Sequence, residues 1–381
     1  MNIGILKENK YNRVLISPFT AKNYIDNGHN VYFSKDCGLK SGFTNKDYIN
    51  AGCKLKEDNI EIIKDCDLLI SFNLPRKSEI EMIKNKTILS RSEPISNLEK
   101  IEILSENKNT LIDIEYLKRE NEYYISNKID NIIADIAFNI IYYKYSKSGY
   151  VLNNFDYLPR KKVSIIGYNH LSKELLSFFD KIGVNIAIYK ENNNLTDIKT
   201  NKYEVLSITE IDRITDSDVI INTTREKQKP NTFKLPDEIF HKLKENCFFM
   251  DLSINNGKIS KFFRETNFDD IIFKYDKKYI SCPQDITCYS GKTLSHYISS
   301  HLIHYINLII DGFENSDLFL DSYIIKDGKI NNDFSFIEEE EIKEIIHDPF
   351  DIIENDFEFF NEDNEKLDKL NEKLNELNDY E

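Results

Sequence analysis

The stretch KKVSIIGYNHLSKELLSFFDKIGVNIAIYKEN, residues 161–192, decides the fold. A short, largely apolar run from Val163 to Ile166 reads as a strand and leads into Gly167. Leu171, Leu175, Leu176 and Phe179 then recur at helical spacing on one face. Gly183 closes that helix, and a second β-rich run follows from Val184 to Tyr189. Strand, helix and strand within about 30 residues make a β-α-β unit, the dinucleotide-binding half of a doubly wound sheet. The turn departs from the G-x-G-x-x-G pattern, because its three glycine positions hold Gly167, Asn169 and Ser172. Asn169 puts a side chain where bare backbone normally lets a pyrophosphate approach. At the end of the second strand, where an acid would hold the ribose hydroxyls, stands Lys190, followed by Glu191. Two readings stay open: a dinucleotide site contacted by Gly167, Asn169, Ser172 and Lys190, or a purely structural β-α-β unit.

With 381 residues the chain is long enough for two domains, each with its own core. No apolar run reaches the ~18 residues of a membrane span, and the opening MNIGILKENK lacks the build of a signal peptide. Six cysteines, at 37, 53, 66, 247, 282 and 288, have no C-x-x-C spacing and read as reduced thiols of a cytoplasmic protein. The formal charge of −15 is localised: residues 331–381 carry 19 acids and 4 lysines, which leaves 46 acids and 46 bases in the rest. A neutral body without a basic stripe argues against nucleic acid as a partner. His301 and His304 share one helical face, but no acid or cysteine accompanies them there, so they read as a packed pair and no metal is expected. There is no P-loop, G-x-S-x-G or H-E-x-x-H motif.

Short strands are predicted at 2–6, 30–34, 67–72, 87–90 and 110–114. Helices are predicted near 19–27, 45–51, 77–84 and 97–106, giving a first α/β region. Here KENKYNRVLISP (7–18), GHNVYF (28–33) and GLKSGFTNKDYINAG (38–52) resemble the opening of the alanine dehydrogenase and transhydrogenase superfamily. N5-(carboxyethyl)ornithine synthase and the lysine-forming saccharopine dehydrogenases belong to that group. DSDVIINTT (216–224), MDLSINNGKIS (250–260) and Pro283 extend the resemblance, which spans about residues 1–325 in order. The chain lacks the glycine-rich loop of alanine dehydrogenases before the nucleotide domain, and in layout sits closer to the carboxyethylornithine synthase branch.

The resemblance implies two Rossmann-like doubly wound α/β domains with a cleft between them, plus an acidic helical C-terminal tail. The first domain would comprise residues 1–128 with 290–330 and the NAD(P)-binding domain 129–289. Apolar helices at 129–146 and about 290–311 would meet at the hinge. It also implies four site roles. Arg13 matches the arginine that grips a substrate carboxylate, a task suited to a planar guanidinium fork; the other reading of Arg13 is an ion pair with Glu8. Asn73 stands at the position of the family lysine and Glu93 at that of the histidine. In the D-x-x-x-D-x-G pattern Asp251 is kept, but Asn255 replaces the second aspartate. Neither asparagine can act as general acid or base, whereas Glu93 can. Lys77 and Arg91 lie near enough in sequence to restore positive charge.

The implied activity is that of an NAD(P)-dependent amino-acid dehydrogenase, with NAD or NADP as cofactor, an amino or oxo acid as substrate, and a homo-oligomeric state. The rival is a catalytically silent member kept as a binding or regulatory subunit. Its tail, residues 331–381, would then be the element that meets a protein partner. There Leu367, Leu370, Leu374 and Leu377 form a two-heptad stripe, too short to be a stable helix alone; a solvated, fraying tail is the other reading. Deleting residues 331–381 is expected to leave a cooperatively folding body of near-zero net charge and lower solubility. Circular dichroism with a urea titration checks this, and loss of cooperative unfolding would show that the tail belongs to the core.

Overall fold

A computed structural model describes residues 1–8, 12–94, 96–190, 202–224, 232–254, 257–312 and 316–331. Strand and helix alternate through the first third of the chain. These elements are β1 (Asn2–Ile5), α1 (Pro18–Asp26), β2 (Asn30–Ser34), α2 (Asn45–Asn50), β3 (Lys54–Lys56), α3 (Asn59–Asp65), β4 (Leu68–Asn73), α4 (Lys77–Ile80), β5 (Thr87–Arg91), α5 (Leu98–Glu106) and β6 (Thr110–Asp113). A two-stranded ribbon, β7 (Lys118–Arg119) and β8 (Glu122–Tyr123), leads into the long α6 (Tyr124–Lys147). The second alternation runs through β9 (Lys162–Ile166), α7 (His170–Lys181), β10 (Asn185–Lys190), β11 (Glu204–Ser207), β12 (Val219–Asn222), α8 (Asp237–Lys242), β13 (Phe248–Asp251), β14 (Phe273–Tyr275) and β15 (Lys278–Ser281). Helix α9 (Gly291–Ile310) and the strands β16 (Tyr323–Lys326) and β17 (Lys329–Ile330) complete the described elements.

The first sheet has the order β17-β16-β6-β5-β4-β1-β2-β3. Its strands β1 to β6 are parallel, and β16 joins the edge antiparallel to β6. The second sheet has the order β11-β10-β9-β12-β13-β15-β14, parallel except for β14. Both are doubly wound, with the strand order reversing beside the first strand: between β1 and β4 in one sheet, between β9 and β12 in the other. Helices cover both faces, so the central strands are mostly apolar; all four residues of β12, Asn222 included, are buried.

One apolar core joins the two sheets. Ile3 and Leu68 of the first sheet, Ile133 and Ile141 of α6, Val163 and Val219 of the second sheet, and Leu294 and Leu302 of α9 belong to a single cluster. Local signals set the helix starts: Ser17 and Thr20 form a capping box with Pro18 in the first turn of α1, and Thr44 and Asp47 do the same for α2.

The sequence reading differs in detail. The linking helix begins at Tyr124 rather than 129, and α4 stops at Ile80 because it is a single turn. The short α3 and β3 were not anticipated. Lys77 points away from the site implied for it and pairs with Glu99 at the surface. His301 bonds the Tyr124 hydroxyl through Nδ1 at 2.9 Å, and His304 packs edge-on against Tyr305. No described helix is long and apolar enough to cross a membrane. The acidic tail helix lies outside the described residues.

Helix α9 also anchors the loop after β1. Val14 N–H donates to Ser295 Oγ at 3.0 Å and Ser17 N–H to Ser299 Oγ at 3.0 Å. The approach is so close that a Cβ on Gly291 would stand 2.0 Å from the Asn12 carbonyl oxygen. Gly291→Ala is therefore expected to destabilise the chain by ~1–3 kcal/mol, the usual cost of overpacking. Ser300→Ala on the exposed face of α9 should stay within about 0.5 kcal/mol of the parent; urea unfolding of the two variants makes the comparison.

Candidate active site

The order reversal between β1 and β4 opens a crevice at the carboxyl ends of these strands, the place where such sheets receive ligands. Leu6 N–H donates to the Ile70 carbonyl at 2.9 Å, and beyond it the chain turns away to carry Glu8 and Arg13 over the crevice. Arg13 is 1% exposed, with its guanidinium 3.9 Å from the centroid of the Phe72 ring. Its partner comes from the second half of the chain. Arg13 Nη1 donates to Asp285 Oδ1 and to Thr287 Oγ1, and Nη2 donates to Asp285 Oδ2 at 2.5 Å. Thr287 Oγ1 in turn donates to Asp285 Oδ1 at 2.7 Å. Glu8 is more distant, with 3.9 Å between Glu8 Oε2 and Arg13 Nε. Arg13 thus keeps the ion pair with Glu8 at 3.9 Å, but its fork is taken by a bidentate bond to Asp285.

Burial works against charge throughout this cluster, and the outcome differs at each group. On Asp285 burial pushes the carboxyl up, but Arg13 and Arg91 outweigh it and hold the pKa below the usual range. On Glu8 burial wins over the attraction of Arg13, and the pKa is pushed up to about 7. Glu8 Oε1 accepts the Asn73 N–H at 2.8 Å. Asn73 lies opposite Arg91 in the sheet register, and its Oδ1 is buried with no hydrogen-bond partner among the described residues.

Arg91 ends β5, with Nη2 3.0 Å from Glu93 Oε1 and Nε 3.3 Å from Glu115 Oε1. Burial alone would lower the Arg91 pKa; Glu93, Glu115 and Asp285 raise it instead. Glu93 has a left-handed backbone, φ 44°, which turns the chain sharply after β5. Ser92 before it donates from N to Asp113 Oδ2 at 2.8 Å. Burial and the nearby Glu115 push Asp113 up to about 6. The crevice therefore gathers Arg13, Asn73, Arg91 and Glu93 with four residues that sequence reasoning did not assign to the site: Asp285, Thr287, Asp113 and Glu115. Asn255 lies outside the described residues. Asp251 is fully buried and binds Asn222 Nδ2 at 2.9 Å and Ser253 N at 2.9 Å.

The second crevice, between β9 and β12, holds the candidate cofactor residues. Gly167 has φ 95°, and a Cβ there would meet Thr223 Oγ1 at 2.9 Å, so a glycine is required for the approach of β12. Asn169 and Ser172 form a capping box: Ser172 N–H donates to Asn169 Oδ1 at 3.0 Å and Asn169 N–H to Ser172 Oγ at 2.8 Å. Asn169 Nδ2 also donates to the Thr223 carbonyl at 2.6 Å. Two of the amides near the start of α7 are thereby taken. Those of His170 and Leu171, in the first turn, have no acceptor within the helix and suit an anion. Lys190 ends β10 with its Nζ 5.5 Å from the Tyr168 ring centroid, close to the same turn. A surface cavity of about 860 Å³ lies elsewhere, at the opposite strand ends near Tyr145, Asp218 and Tyr279, and its Asp218 is paired with Lys161 and Lys244.

A carboxyl whose pKa is raised on folding binds its proton more tightly in the folded state. Stability from Glu8 is thus present in acid and falls as pH rises from its ordinary 4.5 to about 7, then levels. Glu8→Gln should flatten that slope and gain on the parent by on the order of 2 kcal/mol between about pH 5 and pH 8. Urea unfolding across this range checks it; parallel slopes for parent and variant would show that Glu8 titrates normally.

Comparison with known proteins agrees with the fold. Residues 4–125 match the family described as alanine dehydrogenase/PNT, N-terminal domain. An alanine dehydrogenase of Staphylococcus haemolyticus is 24% identical over 274 residues, covering 68% of this chain and 73% of that protein. An N(5)-(carboxyethyl)ornithine synthase of Clostridium botulinum is 24% identical over 318 residues, covering 79% of this chain and 94% of that protein. The fold of a solved L-alanine dehydrogenase superposes with a TM-score of 0.74 at 16% identity, covering 91% of this chain and 99% of that one. Residues 4–125 thus match an alanine dehydrogenase/PNT N-terminal domain, and the chain is similar to an alanine dehydrogenase and an N(5)-(carboxyethyl)ornithine synthase over most of its length.

Proposed function

We propose that this protein is an oxidoreductase of the amino-acid dehydrogenase type that binds NAD or NADP at the β9–β12 crevice and an amino or oxo acid at the β1–β4 crevice. One observation carries the reading: both sheets are doubly wound, and the side chains that meet at the β1–β4 reversal include the buried Arg13, the partly exposed Arg91 and a carboxyl poised near neutrality. The first-turn amides of α7 would hold the pyrophosphate, with Lys190 on the ribose side. The chemistry that nicotinamide would supply when bound there is hydride transfer to or from the amine-bearing carbon. The chain's own part is to bind, to orient and to move a proton. Glu8 suits the proton transfer better than Glu93, because its pKa of about 7 matches neutral operation, whereas Glu93 is committed to Arg91. The domain division into 1–128 with 290–330 and 129–289 belongs to this reading, as does assembly into a homo-oligomer in the cytoplasm.

The second reading, a catalytically silent binding subunit, is favoured by the bond between Arg13 and Asp285, which fills the fork that would hold a substrate carboxylate. Asn73 in place of a lysine points the same way, since an amide neither titrates nor brings charge to a developing oxyanion. Loss of one such group lowers rates by ~10²–10⁴.

Titration of NADH and NADPH against tyrosine fluorescence separates the readings, the chain having no tryptophan. Lys190 removes the repulsion that an acid would exert on a 2′-phosphate, so NADPH is expected to bind at least as well as NADH. Alanine oxidation is expected to stay below about one turnover per second, the low end of ordinary enzymes. Absence of binding by both nucleotides would leave the oxidoreductase reading without support, and a clear preference for NADH would contradict the role given to Lys190.

A further inference from the structure

We propose that Asp285 is an internal ligand of Arg13 that closes the arginine fork to free carboxylates, so that Asp285 decides which anions the crevice accepts. The proposal rests on reading Arg13 as the group that would grip a substrate carboxylate. The geometry is that of a bound carboxylate: two guanidinium nitrogens meet the two Asp285 oxygens, and the Thr287 hydroxyl bonds both partners. The Phe72 ring closes one face of the guanidinium.

Both partners are held in place by the same segment of chain. Asp285 and Thr287 lead into α9, and α9 fixes the Arg13 loop through Ser295, Ser299 and the close pass at Gly291. The tethered, pre-oriented carboxylate therefore competes at an effective concentration of about 1 M or more, well above the millimolar range of a flexible linker. A free monocarboxylate at millimolar concentration cannot displace it. The surrounding charge adds to the exclusion. Glu93, Glu115 and Asp285 stand against Arg13 and Arg91, so an entering anion meets a cluster already supplied with negative charge. Removing the Asp285 side chain leaves a cationic slot with the shape of one carboxylate.

The test is chemical rescue with acetate, read by thermal unfolding at constant ionic strength with chloride as the control. Asp285→Ala should melt below the parent, and about 100 mM acetate should raise its melting temperature by about 2 °C or more. The parent should not respond, and neither should the double variant Asp285→Ala with Arg13→Met. An equal acetate response in parent and Asp285→Ala would overturn the proposal, as would a folded Asp285→Ala that ignores acetate. If Asp285→Ala does not fold in chloride, its refolding yield is compared in acetate and chloride; a yield independent of acetate overturns the proposal, and acetate-dependent recovery supports it. No cofactor or turnover enters the assay, so an inert oxidoreductase would not mimic its failure.

Discussion

Arg13 and Asp285 stand 272 residues apart in sequence and share a largely buried, bidentate ion pair. Removing one partner of such a pair leaves a buried charge without compensation and typically costs ~3–5 kcal/mol. The pair also fixes the distance between the loop after β1 and the turn after β15. Glu8, Asn73 and Phe72 gather around it. Arg13 stacks on Phe72, Glu8 accepts the Asn73 amide, and burial of the whole group drives the Glu8 proton affinity upward.

The two crevices share a physical solution. At each order reversal, where a doubly wound sheet offers a ligand site, side chains of the chain already bond across the gap. In the first sheet Asp285 takes the arginine fork. In the second, Asn169 binds Ser172 and the Thr223 carbonyl, while Gly167 allows β12 to approach too closely for any side chain. Part of the polar capacity that a ligand would use is met from within. The remaining capacity lies in the first-turn amides of α7 and in the carboxyls whose charge is suppressed by burial.

The parts of the fold that were legible in the sequence are those with local causes. The unit around Gly167 was readable because apolar periodicity, a helix-closing Gly183 and a second β-rich run all lie within one window. Helix α3 was missed although it carries a start signal, Asp58 accepting the Glu61 N–H at 3.0 Å; its seven residues are too few to display a face. Resemblance located Arg13 and Glu93, but residue identity could not reveal their partners. Asp285 sits in an aperiodic turn, and nothing near it in sequence connects it with Arg13. The proton affinity of Glu8 was equally hidden, because it depends on burial by segments brought together only in the folded chain.

The return of β16 to the first sheet bears on how the protein is made. Tyr323 pairs with Ile112, so the first sheet gains this edge strand only when residues beyond 320 have left the ribosome. All seven strands of the second sheet lie between Lys162 and Ser281. During synthesis the second sheet can close while the flank of β6 is still open, an exposed strand edge of the kind that recruits other chains. Vectorial synthesis thus sets an order in which the later-encoded sheet is completed first and the earlier one waits for its last strand.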